Sequence, residues 1–274
     1  MFRQYPGGLH LQPSLLWQTQ CAVLSSGAEV LVVDPGYFPA EIAAAQALAR
    51  QLGRQGAPPH LILTHSDFDH IVGAEDFPGA PIVASARWDA ANERRARRAL
   101  RQFDGEHYIA RERPLARPVQ PTLPVGEDGQ EIAGCRFYLL AGHTRDGLAL
   151  YHPGSGALIV GDYLSDLEFP FIYVSALAYR ASLAKLAGLC RELPVDVLVS
   201  QHGRPALGRA EIAQRLRESE GYLEALLDAA AVAKDPQAAA RLSAGAWRSG
   251  IPPALRGAHL SNARVAWREL RRGG

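Results

Sequence analysis

Thr64-His65-Ser66-Asp67-Phe68-Asp69-His70 follows directly on the apolar run His60-Leu61-Ile62-Leu63. An apolar strand that runs straight into a polar, histidine-bearing loop is where α/β proteins put their chemistry. Neutral imidazole nitrogens and carboxylate oxygens are the donors that borderline divalent metals accept. Side chains at 65, 67, 69 and 70 cannot all meet one ion from a regular strand or helix. A tight turn can split them between two ions, so the stretch predicts a dinuclear site.

The flanking sequence supplies the scaffold. Upstream, Gln20 to Leu24 and Glu29 to Val33 predict a strand pair across the turn Ser25-Ser26-Gly27, and Asp34-Pro35-Gly36 ends the second strand. Phe38 to Gln55 is alanine-rich with Ile42, Ala45, Leu48, Ala49 and Leu52 on one face, the pattern of an amphipathic helix. Pro58-Pro59 then introduce the strand His60 to Thr64, and Pro81 to Ala84 is a further short strand. Ala86 to Gln102 predicts a strongly basic helix, and Pro114 to Pro124 an extended proline-rich connection. Strands return at Cys135 to Ala141, Leu148 to His152 and Ala157 to Gly161, followed by a helix over Ala176 to Leu193 and a strand over Val195 to Ser200. Beyond His202-Gly203 the pattern is helical, with one long helix over Glu211 to Ala233 and another over Ala254 to Arg272. Two strand-rich stretches interspersed with helices suit a sandwich of two sheets covered by helices.

Downstream strand ends repeat the donor chemistry of the opening stretch. His143 and His202, like His65 and His70, sit in loops after predicted strands, and Asp162 occupies an equivalent place. In His65-Ser66-Asp67-Phe68-Asp69-His70-Ile71-Val72-Gly73, Ala141-Gly142-His143-Thr144, Gly161-Asp162 and Gln201-His202-Gly203, over about residues 20 to 205, the chain resembles the metallo-β-lactamase-fold superfamily. Its main signature is His-x-His-x-Asp-His after a strand.

The resemblance implies a four-layer αββα sandwich over residues 1–205, with 206–274 as a helical C-terminal extension that covers substrate or serves dimerisation. It implies that His65, Asp67 and His143 hold one metal, that Asp69, His70 and His202 hold a second, and that Asp162 bridges the two. Two divalent ions, zinc first with iron or manganese as alternatives, would lower the pKa of a shared water. The resulting metal-bound hydroxide would cleave a small ester-like substrate: a phosphoester, lactone or thioester. Asp69 would also orient the nucleophile, which makes it the catalytic candidate. Asp67 departs from the common signature, because it stands where most members carry histidine. A carboxylate there resembles phosphorylcholine-esterase-like and DNA-uptake-associated members, and the di-iron branch has glutamate at this place. A di-iron oxidoreductase and a non-catalytic metal-binding sensor are therefore the rival functions. Against the first, no flavodoxin-like domain or glycine-rich nucleotide loop follows.

Several residues carry weaker signals. Asp34, at a strand end, is either the partner that fixes a ligand imidazole from behind or a turn residue before Pro35-Gly36. Tyr163 and Arg145 are candidates for contacting substrate or bracing the site. Arg94, Arg97, Arg98 and Arg101 form one helical stripe, which is either an anion-binding wall or, as charge runs more often are, a solvated face balanced by Glu93, Asp104 and Glu106. Trp88, Phe103 and Tyr108 either wall a pocket or pack that helix on the core. Phe169-Pro170-Phe171-Ile172-Tyr173 is an apolar lining or ordinary core. His10, His60, His107, His152 and His259 match no motif and stay outside the predicted site.

The 274 residues, 47% hydrophobic and 21% charged, have ordinary globular composition. A net charge of +1 carries no footprint for nucleic acid or a membrane surface, so a small molecule is the expected partner, with a homodimer open. Cys21, Cys135 and Cys190 suit neither a disulfide framework nor a thiolate site and read as small buried apolar residues. No apolar run approaches a membrane helix, and residues 1–8 lack the apolar core of a signal peptide, so a cytoplasmic location is expected.

Overall fold

Alternation along the strands builds the architecture. In the computed structural model, which describes residues 1–54, 56–248 and 250–272, two mixed sheets lie face to face. The first contains β1 (Arg3–Tyr5), β2 (Leu9–Pro13), β3 (Gln20–Ser26), β4 (Glu29–Val33), β5 (His60–Ile62), β6 (Ile82–Ser85) and β7 (Leu123–Val125), in spatial order 1-2-3-4-5-6-7. The second contains β8 (Gln130–Ile132), β9 (Cys135–Leu140), β10 (Gly147–His152), β11 (Ala157–Ile159), β12 (Val197–Val199) and β13 (Ala206–Leu207), in order 13-12-11-10-9-8.

Successive side chains of a strand point to opposite faces, so each strand serves two cores. Leu31 and Val33 of β4, Ile62 of β5, Phe137 and Leu139 of β9, Leu148 and Leu150 of β10 and Val197 and Val199 of β12 fill the space between the sheets. Val30, Val32 and Leu61 turn the other way, onto Ile42, Ala45 and Ala49 of helix α1 (Pro39–Leu52) and Ala96 and Leu100 of α3 (Ala90–Glu106). Tyr138, Leu140, Ala149, Tyr151 and Leu198 pack outward on the second sheet, against α4 (Ala176–Glu192), α5 (Gly208–Val232) and α7 (Arg256–Arg272). Strands buried on both faces give four layers, αββα, as expected.

The helical tail shares its core with the second sheet: Leu216, Tyr222 and Leu223 of α5 and Ala263 and Ala266 of α7 belong to the same apolar cluster as Tyr138 and Leu198. β13, which starts one residue after the expected boundary at 205, still pairs with β12.

The differences from expectation are local. The basic helix starts four residues later, at Ala90, because the Asp89 side chain accepts from the backbone N–H groups of Ala91 and Asn92 and caps it there. The helix predicted over Phe38 to Gln55 is formed from Pro39 to Leu52, and Gln55 lies outside the described residues. β1, β2, β7, β8, β13 and the short helix α6 (Pro236–Leu242) were not anticipated. They are two to seven residues long, too short for a periodic signal. Cys21 and Cys135 are buried as expected, whereas Cys190 is half-buried, and all three thiols are free. Among the described residues no helix is long and apolar enough to cross a membrane.

The strands that matter for the site share an edge. β4, β5, β6 and β7 run parallel, as do β11 and β12, and β9 shares the direction of β11 because both are antiparallel to β10. The loops after β4, β5, β9, β11 and β12 carry Asp34, the His65–His70 stretch, His143, Asp162 and His202. Backbone bonds close the sheets together there, from Leu148 N–H to the Thr64 carbonyl at 2.7 Å and from Gln20 N–H to the Gln201 carbonyl at 2.7 Å.

Candidate metal centre

The tight turn predicted after β5 is a single helical turn, α2 (Phe68–Ile71), with Asp67 at its N-cap position in extended backbone. It separates the donors of the opening stretch. His65 and Asp67 face His143, with the His143 Nε2 3.3 Å from the His65 Nε2 and 3.4 Å from the Asp67 Oδ2. Asp69 and His70 face His202: the Asp69 Oδ2 lies 3.5 Å from the His70 Nε2 and 3.4 Å from the His202 Nε2. Asp162 stands between them. Its Oδ2 is 3.6 Å from His65 Nε2, 3.3 Å from His143 Nε2 and 3.3 Å from His202 Nε2, and its Oδ1 is 3.3 Å from His70 Nε2. The seven residues thus form three overlapping donor triads: His65–Asp67–His143, His65–His70–Asp162 and Asp69–His70–His202.

These distances suit metal coordination better than hydrogen bonding. An N–H···O bond has its mode near 2.9–3.0 Å. Two donors held at about 2.0–2.1 Å on one tetrahedral ion stand roughly 3.3–3.4 Å apart, the edge of the tetrahedron. The contacts between imidazoles and carboxylates fall at 3.3–3.6 Å. His70 Nε2 and Asp162 Oδ1 are buried without a hydrogen-bond partner, a costly state that a cation between them would relieve.

Every ring is held from behind, so that its Nε2 points inward. His65 Nδ1 meets the Thr64 hydroxyl at 3.0 Å, His70 Nδ1 the Asp34 carboxylate at 2.9 Å, His143 Nδ1 the Phe171 carbonyl at 2.8 Å and His202 Nδ1 the Trp17 carbonyl at 3.2 Å. Outer partners of this kind fix the tautomer and orientation of ligating histidines. Asp34 is the hub: fully buried, it also accepts from Thr64 N–H at 2.9 Å, the Thr64 hydroxyl at 2.6 Å and Gln201 Nε2 at 2.7 Å. Its backbone is left-handed, φ 43°, a conformation that aspartate tolerates better than most residues. Gly142, at φ 119°, admits no side chain, since a Cβ there would lie 2.3 Å from the Tyr179 nitrogen. That close approach seats the His143 loop on α4.

Charge is balanced internally. Burial disfavours protonation of His143, but the close approach and charge of the Asp162 and Asp67 carboxylates outweigh it and raise its pKa to about 10. His202 is raised to about 9 against the same burial cost by Asp162 and Asp69, and His70 is raised well above the histidine range by its carboxylate neighbours. Asp67 and Asp162 are held well below the carboxylate range, as the imidazoles overcome the desolvation that would raise them.

The other predicted residues divide. Tyr163 is buried and donates to the Ala141 carbonyl at 2.8 Å, so it braces the His143 loop and does not face substrate. Arg145 is exposed, 3.9 Å from the Asp89 carboxylate, beside a cavity of about 200 Å³ shared with Arg95. A cavity of about 540 Å³ opens on the donors, lined by Trp17, Phe68, Arg95, Phe171 and Tyr173 and, from the tail, Leu255 and Ala258. The arginine that reaches it is therefore Arg95 and not the stripe, whose Arg97 pairs with buried Glu93 at 3.3 Å. Phe169 and Ile172 are core, whereas Phe171 and Tyr173 line the cavity. Phe103 packs with Trp17, Tyr37 and Phe68, Trp88 donates to Glu93 at 3.0 Å, and Tyr108 is exposed, so none of these three lines the cavity.

Asn92, Thr19 and Gln201 were missed. Asn92 Nδ2 donates to the outer Asp67 oxygen at 2.7 Å, and the Thr19 hydroxyl donates to Asp69 at 3.3 Å. Only Gln201 had a signal, its place beside His202 in a motif. Asn92 and Thr19 are ordinary polar residues far from any histidine in sequence.

The model of the metallo-beta-lactamase superfamily matches residues 15–202. No curated protein matches the sequence. Among solved structures, the inverting sec-alkylsulfatase Pisa1 of Pseudomonas sp. superposes with TM-score 0.69 at 17% identity, covering 98% of this chain and 50% of its own, so this chain spans half the alkylsulfatase's length. A metallo-beta-lactamase family protein of Thermus thermophilus superposes with TM-score 0.67 at 23% identity, covering 97% of this chain and 94% of its own. A metallo-beta-lactamase of Hirschia baltica gives TM-score 0.52 at 16% identity, over 79% of this chain and 95% of its own. With a family match over most of its length and the fold to go with it, this chain belongs to the metallo-beta-lactamase superfamily.

Proposed function

We propose that the protein is a metal-dependent hydrolase that loads two divalent ions, zinc first, and cleaves a small ester-like substrate. The observation that carries this reading is the set of three overlapping triads around Asp162, open to a cavity of ligand size. When bound, a pair of such ions supplies an activated water near neutral pH and a Lewis acid for the substrate oxygen.

The chain's own residues do the rest. His65, Asp67 and His143 would hold one ion and Asp69, His70 and His202 the other, with Asp162 placed within reach of both sets. Asp69, buried at the cavity floor and steadied by Thr19, orients the attacking water. Trp17, Phe68, Phe171 and Tyr173 exclude bulk water and receive the apolar part of the substrate. Arg95 is the one arginine among the described residues lining that cavity, and it suits an anionic group on a phosphoester or related substrate.

Elemental analysis of the purified protein, paired with a hydrolysis panel of phosphodiesters, lactones, thioesters and alkyl sulfates, tests the reading. Two zinc ions per chain with turnover of one class is the expected result. Two irons without hydrolysis would overturn it in favour of an oxidoreductase, and a full metal complement without any turnover would favour a binding protein.

A further inference from the structure

The helical tail reaches the metal centre through one loop. His143 depends for its orientation on the Phe171 carbonyl, 2.8 Å from its Nδ1. Phe171 lies in a segment without regular structure between Asp162 and α4, so no strand ladder of its own fixes that carbonyl. The groups on either side of it are gripped by one side chain of α7. Asn262 Nδ2 donates to the Pro170 carbonyl at 2.6 Å, and Asn262 Oδ1 accepts from the Ile172 N–H at 2.9 Å. Asn262 is buried, and its amide orientation is fixed in turn. Nδ2 also donates to the Tyr222 hydroxyl at 2.8 Å, the hydroxyl faces His259 Nδ1 at 2.9 Å, and His259 Nε2 meets the Ala240 carbonyl at 2.9 Å.

Two helical turns further along α7, Glu269 makes a second grip. Its carboxylate accepts from the Ser175 hydroxyl, from Ala176 N–H at 2.8 Å and from Leu177 N–H at 3.2 Å. Between the grips, Tyr173 N–H donates to the His143 carbonyl at 3.2 Å, Val174 N–H to the Gly142 carbonyl at 3.1 Å, and the Tyr173 ring lies 4.9 Å from the His143 ring.

We propose that Asn262 is a positioning residue for His143, so that the C-terminal helix sets the geometry of the His65–Asp67–His143 half of the centre and leaves the other half alone. The proposal rests on the reading of these residues as metal ligands. A buried asparagine that bridges the C=O before and the N–H after one residue holds that residue's carbonyl, here the outer partner of a histidine, of a kind that ordinarily contributes about 10–100-fold to metal affinity.

The test compares the full-length protein with Asn262→Asp, which is nearly isosteric but cannot donate to Pro170, and with the milder Tyr222→Phe, which removes the hydroxyl that orients the amide. Zinc affinities are measured by competition with a chelator, and the exchange of the His143 Nδ1 proton is followed by NMR in the ion-free protein. Asn262→Asp is expected to weaken one of the two zinc ions by up to about 10-fold, the lower end for loss of an outer partner, with the other unchanged, and to speed the exchange of that ring proton. Tyr222→Phe is expected to do both to a smaller extent. Unchanged zinc affinity and unchanged exchange, alongside a lowered melting temperature, would make Asn262 a structural brace only and overturn the proposal. A wild-type chain that binds no zinc would instead sink the hydrolase reading, and the ring-proton exchange would still decide whether Asn262 positions His143.

Discussion

The two halves of the centre are built from different material. Behind Asp69, His70 and His202 stand Asp34, Thr19, Gln201 and the Trp17 carbonyl, on or beside the strands that join the two sheets. Behind Asp67 and His143 stand Asn92 of α3 and the Phe171 carbonyl, which α7 holds through Asn262. One half is wired wholly into the sandwich; the other hangs on helices and loops laid over it except at His65, which the Thr64 hydroxyl ties back to Asp34. Asn92 and Phe171 line the cavity and orient Asp67 and His143, and Trp17 lines it and orients His202, so substrate shape and metal geometry are tied together on both sides.

The largest expected effect would break the distinction altogether. Asp162→Ala removes the one residue common to both halves, so both ions should be lost, and activity should fall by well over the roughly 100-fold that an outer partner accounts for. Metal content by elemental analysis checks this, and one retained ion would show that Asp162 serves a single half. Asp34→Ala comes next. It strips the partner from His70 and leaves the Thr64 and Gln201 donors buried without an acceptor, each at about 1–3 kcal/mol. The expected outcome is a fall of about 100-fold in affinity for the ion at His70, a smaller fall for the ion at His65, which Thr64 links to Asp34, and a lower melting temperature, measured by chelator competition and thermal unfolding.

Acid should act on both halves alike. With His143 at about 10, His202 at about 9 and His70 raised as well, the ion-free site carries protons at neutral pH that a metal must expel. Loading should therefore release protons into a weak buffer, and affinity should rise with pH by about tenfold per unit for each proton released. Affinity that is flat between about pH 6 and 8 would contradict this. The smallest effect belongs to Asn92→Ala, which takes a hydrogen bond from the outer oxygen of a partly exposed carboxylate. Roughly tenfold weaker binding of the helix-wired ion alone is expected. Equal weakening of both ions would erase the contrast between the halves.

The strand-end donors were legible in the sequence because each announces itself locally. An apolar run stops and a histidine or aspartate follows, and this pattern at residues 60–70, 141–143, 157–162 and 195–202 sufficed to name all seven. The two-sheet sandwich was suggested by the same strands with helices between them, and its four layers by the family resemblance. The residues behind the donors were not legible, apart from Asp34. Asn92, Thr19 and Asn262 meet their partners across 25, 50 and 92 residues of chain, and nothing in their neighbourhoods sets them apart. Arg95 shows the same limit. The sequence singled out the stripe of its neighbours, but helix rotation turned Arg95 to the cavity and engaged Arg97 with Glu93.

By itself, then, the sequence determined which chemistry is present: the donor types, their order, and the tight turn at Asp67 that divides them. Only the tertiary structure decided that these donors lie together, how each ring is aimed, and that the C-terminal helix grips the segment behind His143. Donor identity is a property of single residues next to strand ends, whereas pairing and orientation come from contacts between segments far apart in the chain, which exist only once the sheets and helices have packed.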